Sequence, residues 1–102
     1  MNNNILNQQN RSYYKKKLDW KIIQSDMKNK IGNDIFESWL KKIHLIEEFQ
    51  NYVLISVPTR FIRDWITSRY LDQILKIIKI YNKDINRIEF NIIKCYSEIL
   101  TI

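Results

Sequence analysis

The side chains able to carry covalent or acid–base chemistry are few here, and each stands by itself. His44 is the only histidine and Cys95 the only cysteine. One of each makes neither a Cys/His zinc site nor a disulfide within the chain. His44, beside Ile43 and Leu45 in a β-branched run, reads as a structural or exposed histidine, and Cys95 as a small unpaired hydrophobe. Glu47 and Glu48 are adjacent, and adjacent residues of a strand point to opposite faces, so they do not form an acid/base pair. Gly32 is the only glycine and Pro58 the only proline. Phosphate-binding loops, dinucleotide-binding turns and nucleophile elbows each need several glycines for close backbone approach, and all three are excluded. The expectation is a chain that is not an enzyme and has no cofactor, no metal and no small-molecule substrate. What remains is binding chemistry, carried by aromatic and basic side chains.

Aromatic residues make up 13% of the 102 residues and the net charge is +6, but the charge is unevenly spread. Residues 1–17 hold Arg11, Lys15, Lys16 and Lys17 and no acid, whereas residues 18–102 are nearly balanced. The Asn/Gln-rich first 17 residues lack apolar periodicity and read as a flexible basic arm. Such an arm either is simply solvated or adds a salt-sensitive attraction to phosphates. The absence of a long apolar run, of a signal-like start and of a cysteine framework makes a soluble cytoplasmic protein without a membrane partner the expectation.

The elements that must position these side chains follow from periodicity. Trp20, Ile23, Met27 and Ile31 form one stripe of a helix that Gly32 can end. Asn33 then reads as the N-cap of a second helix bearing Ile35, Phe36, Trp39, Leu40 and Ile43 on one face. Residues 43–47 and 52–57 are β-branched and aromatic runs joined by a hairpin, closed by Pro58. Thr59 is placed to cap a further helix with Phe61, Ile62, Trp65 and Ile66 on its apolar side. A second stripe, from Tyr70 and Leu71 through Ile74, Leu75, Ile77 and Ile78 to Tyr81, would be centred about 160° away on a straight helix. A kink or break near residues 67–69 is therefore expected. After a turn at 82–84, Ile88, Phe90 and Ile92 alternate with polar residues as a strand buried on one face. The order ααββαβ implies an α+β fold, helices on a small three-stranded sheet, spanning residues 18–93 with a C-terminal tail at 94–102.

The run Pro58-Thr59-Arg60-Phe61-Ile62-Arg63-Asp64-Trp65-Ile66, continued by Ser68-Arg69-Tyr70-Leu71, resembles the "P-N-R-F-v-r-D-W-v…k-Y-L" block of the N-terminal domain of the bacterial replication initiator DnaA. Trp20 lies where that family has a tryptophan at the start of its first helix, and Phe36-Glu37-Ser38-Trp39-Leu40 resembles its "e-F-x-x-W-i" block. The resemblance implies a KH-like ααββαβ fold and an interaction module of replication initiation. Its implied partners are the replicative helicase, initiation regulators, and itself or the full-length initiator, with weak binding of single-stranded DNA. It implies neither the ATP-binding domain nor the origin-reading domain of the full initiator.

By the same resemblance Trp20 anchors self-association, although it also completes the stripe with Ile23, Met27 and Ile31. Phe61 corresponds to a phenylalanine that contacts helicase and regulators, with Thr59, Arg60 and Arg63 beside it. Trp39 and Trp65 read as core. Thr59 stands where many members have asparagine, keeping the capping oxygen but not the amide donors. Ile35 stands where well-studied members have a glutamate that contacts helicase and single strands, and Lys42 where they have proline. Two alternatives stay open: a KH-like single-stranded nucleic-acid binder using the basic arm, though without the GXXG loop of KH modules, and a stand-alone decoy that pairs with the full initiator.

Overall fold

A computed structural model of the chain describes residues 17–93. The expected arm with Arg11, Lys15 and Lys16, and the tail with Cys95, lie outside the described residues. Helix α1 (Trp20–Ile31) is capped by Asp19, whose side chain accepts from the Lys21 amide, and buries Ile23 and Met27. Gly32 ends it at φ 122°, ψ 147°, and the same residue, rather than Asn33, is the N-cap of α2 (Asn33–Ser38). One residue thus joins the two helices, with a backbone angle only glycine adopts cheaply.

The second helix does not continue through its apolar stripe. It stops at Ser38, and after Trp39 a single 3₁₀ turn (Leu40–Lys42) completes the connection. In a three-residue turn, positions i and i+3 eclipse, so Leu40 and Ile43 both enter the core. Trp39, at the break, is left half-buried at its edge.

Strand β1 (His44–Glu48) pairs antiparallel with β2 (Tyr52–Val57), and β2 pairs parallel with β3 (Arg87–Ile92), in the sheet order β1-β2-β3. The register shifts between Leu45 and Glu47, leaving Ile46 as an extra, exposed residue. That bulge reverses the alternation: Glu47 lies across from Leu54 and Glu48 across from buried Val53. A carboxylate that unbroken alternation would send outward is thereby turned inward.

Helix α3 (Arg60–Arg69) begins at Thr59, whose hydroxyl oxygen accepts from the Ile62 amide at 3.1 Å. It ends at Tyr70, from which α4 (Leu71–Tyr81) departs. The break falls one residue beyond the expected stretch and lets both stripes meet the core, Ile62 and Ile66 from α3 and Ile74, Ile77 and Ile78 from α4. The element order is ααββααβ, an α+β fold. One expectation is corrected. In β3, Ile88 and Phe90 are half-buried, but Ile92, at the last position of an edge strand that pairs with β2 alone, is exposed. Ile85, in the turn after α4, is fully buried and plugs the core.

Glu48 is 3% exposed. It accepts from the backbone amides of Lys17 and Leu18, at 3.1 Å each, and from Asn82 Nδ2 at 2.8 Å. It thus holds together the chain entering α1, the end of β1 and the cap of α4.

Candidate protein-interaction surface

The block that carries most of the sequence signal lies on the α2–α3 side of the fold. Thr59 fixes the first turn of α3 and so fixes where Phe61, its second residue, projects. Phe61 is 67% exposed, the most exposed of the large hydrophobic side chains among the described residues. Its apolar area is left in water although Ile62 beside it is buried, because the two positions are one residue apart on a helix and cannot share a face.

Phe61 does not stand alone. Its ring centroid is 5.9 Å from that of Trp39, tilted by 47°. Trp39 stacks on Trp65 at 3.8 Å and 10°. Trp65 in turn meets Tyr70 at 5.3 Å, with the Arg69 guanidinium 5.1 Å from the Trp65 ring centre. Four aromatic rings from α2's end, α3 and the α3–α4 joint form one ladder with the exposed ring at its end. Trp39 and Trp65, expected in the core, are half-buried parts of this surface; the 3₁₀ turn that turns Leu40 and Ile43 inward leaves Trp39 free to stack. The i, i+4 relation of Phe61 and Trp65 and their shared partner Trp39 were the signal for this cluster, visible only once the α2 break is known.

Arg60 is exposed and makes no side-chain ion pair among the described residues. Arg63 is half-buried and is held by Asp64, at 3.0 Å for the ion pair. Of the two arginines flanking Phe61, Arg60 is thus unpaired among the described residues and Arg63 is committed to Asp64. On α2, Glu37 bonds Lys41 Nζ at 2.8 Å and lies 3.7 Å from Lys28; the Lys41 hydrogen bond and charge hold its carboxyl below the usual range. Ile35, on the same helix, is half-buried against the core.

Trp20 lies apart from this ladder at the first position of α1. It is half-buried against the core, and its indole N–H donates to the Ile43 carbonyl at 3.4 Å. Ile22, two residues on, is 47% exposed. Trp20 therefore completes the stripe while keeping an edge accessible. Lys17 is described: its amide bonds Glu48 and its ammonium reaches Asp84 at 4.0 Å. His44 is exposed on β1. No group of three or more His, Cys, Asp or Glu among the described residues could hold a metal ion, and no described helix is long and apolar enough to cross a membrane.

These features coincide with a family pattern. Residues 19–79 match the model of the DnaA N-terminal domain. The chain is 39% identical over 70 residues to the chromosomal replication initiator proteins DnaA of Rickettsia massiliae and Rickettsia felis, and 37% identical to that of Rickettsia canadensis. The match takes in 69% of this chain and 15% of each relative. The capped α3, its aromatic ladder and the α1 tryptophan all fall within or at the start of the matched stretch, and the chain belongs to the DnaA N-terminal domain family.

Proposed function

We propose that this chain is a non-catalytic protein-interaction module of chromosomal replication initiation, which self-associates through the face bearing Trp20 and recruits the replicative helicase or initiation regulators through the α3 face. The observation that carries the reading is Phe61, held two-thirds exposed at the end of the Phe61–Trp39–Trp65–Tyr70 ladder. A rigid aromatic loses little conformational entropy on binding, which makes it an efficient anchor. Thr59 fixes its direction, Arg60 offers an unpaired cation beside it, and Arg63, paired with Asp64, adds a polar edge. Each contact is weak alone; self-association presents several copies together and raises the effective concentration of all of them.

The test is an isotope-labelled NMR titration of the chain with the replicative helicase of the same organism. Amide shifts centred on residues 59–64 that vanish in Phe61→Ala support the recruiting role. Phe61 is mostly solvated, so that variant keeps its fold. A helicase that leaves these amides unmoved at high concentration refutes the helicase contact. Binding to single-stranded DNA that falls steeply with salt and is unaffected by Phe61→Ala supports the nucleic-acid reading instead.

A further inference from the structure

A second surface lies between α1 and α4, apart from the Phe61 ladder. Lys30, Ile31, Gln73, Lys76, Ile77 and Ile80 line a groove of about 260 Å³. Its floor is apolar: Ile77 is buried, Ile31 half-buried, and Ile80 58% exposed. An exposed isoleucine by itself is ordinary surface, but Ile80 lies with Ile31 and Ile77 along one concavity, where the three present a joint apolar face. The volume falls below the roughly 300 Å³ at which small-molecule pockets begin. It suits one or two aliphatic side chains of a larger partner.

The charge around the groove narrows the partner. On these two helices Lys28 is compensated by Glu37, whereas Lys21, away from the groove, makes no ion pair among the described residues. Lys30 and Lys76, at the two sides of the groove, make no ion pair among the described residues, nor does exposed Lys79 on the same helix. Asp72, one turn before Lys76, is exposed and makes no ion pair with it. An apolar floor between two free ammonium groups complements a helix with an aliphatic stripe flanked by carboxylates. A nucleic-acid backbone would match the lysines but not Ile31, Ile77 and Ile80. A bilayer surface would match both charge and hydrophobicity but presents no side chain to fill a concave site.

We propose that the α1–α4 groove is a docking site for an acidic amphipathic helix of a partner protein, seated on Ile80 and clamped by Lys30 and Lys76. The probe is a synthetic helix of about 15 glutamate-rich residues with leucines three and four apart, compared with a scrambled peptide of the same composition. In NMR titrations of the full chain, saturable shifts should centre on Lys30, Ile31, Gln73, Lys76, Ile77 and Ile80 and be absent with the scrambled peptide. Ile80→Glu, a change at an exposed position, should weaken binding about tenfold or more. Lys30→Glu with Lys76→Glu should weaken it by a similar factor, and the wild-type affinity should fall with added salt. The proposal is overturned by unsaturable shifts, by equal binding of the scrambled peptide, by shifts centred on Phe61, or by affinity indifferent to Ile80→Glu. Displacement of the peptide by oligothymidylate, or groove shifts produced only by phosphatidylglycerol vesicles, would equally overturn it in favour of those ligands.

Discussion

Replacing Glu48 by glutamine isolates the interaction that joins three distant parts of the chain. The carboxylate takes four hydrogen-bond contacts from three donors: the Lys17 amide to both oxygens and the Leu18 amide to Oε1, all at 3.1 Å, and Asn82 Nδ2 to Oε2 at 2.8 Å. Glutamine has nearly the same shape but only one acceptor oxygen, and its NH₂ must face one of those donors. If the NH₂ takes the Oε2 position the Asn82 bond is lost; if it takes the Oε1 position the Leu18 bond is lost. Either way one donor near a site only 3% exposed is left without its acceptor. A hydrogen bond to a charged group contributes about 1.5–3 kcal/mol, and stranding a buried donor costs a comparable amount. Glu48→Gln should therefore lose about 2 kcal/mol in urea denaturation, or roughly 8–16 °C in Tm for a domain of this size. Because Asn82 and Glu48 share the bond, Glu48→Gln and Asn82→Ala should be less than additive, and hydrogen exchange at the Leu18 amide should accelerate. A loss under about 0.5 kcal/mol, with additive double mutants, would show that the clamp contributes no more than an ordinary surface contact.

Two further expectations follow from backbone and electrostatics. Gly32 sits at φ 122°, and an added Cβ would meet nothing within 4 Å, so any penalty is conformational rather than steric packing. Gly32→Ala should cost about 1–3 kcal/mol, whereas D-alanine introduced by synthesis, which favours positive φ, should cost little; equal losses from both would refute the reasoning. Tyr81 donates its O–H to the Asp26 carboxylate, and that hydrogen bond, with burial and the nearby charge, raises its pKa above 10.0. A raised folded-state value means the contribution is fully present below pH 10 and is lost as pH rises through the folded pKa. Wild type should exceed Tyr81→Phe in urea midpoint at pH 7, and the gap should close above pH 10; a gap constant to pH 11 would sink the idea.

The elements that sequence periodicity locates best are those whose apolar stripes are local. The stripe of Ile23 and Met27, the cap at Thr59, the two opposed stripes that required a break before α4, and both strands of the hairpin are all present within a residue or two. Where the reading fell short, the cause was a change of period inside an element. A 3.6-residue period drawn from Asn33 to Ile43 placed Trp39 on the buried face; the switch to a three-residue turn at Leu40 leaves it half-buried at the edge of the core, stacked on Trp65. A two-residue period through β1 dismissed Glu48 as half of an edge pair; the single extra residue at Ile46 turned it into the buried clamp. Both are one-residue phase changes, and neither leaves a mark in composition, because the favourable burial of Leu40, Ile43 and Val53 that drives them is tertiary. The consequence for the interaction surface is specific. The exposure of Phe61 was legible from its place after the cap, but its setting was not: it ends a four-ring ladder spanning α2 to the α3–α4 joint, so on the proposed recruiting role Trp39→Ala should shrink the helicase-induced amide shifts at residues 59–64 by removing the support of Phe61, although Trp39 itself is half-buried.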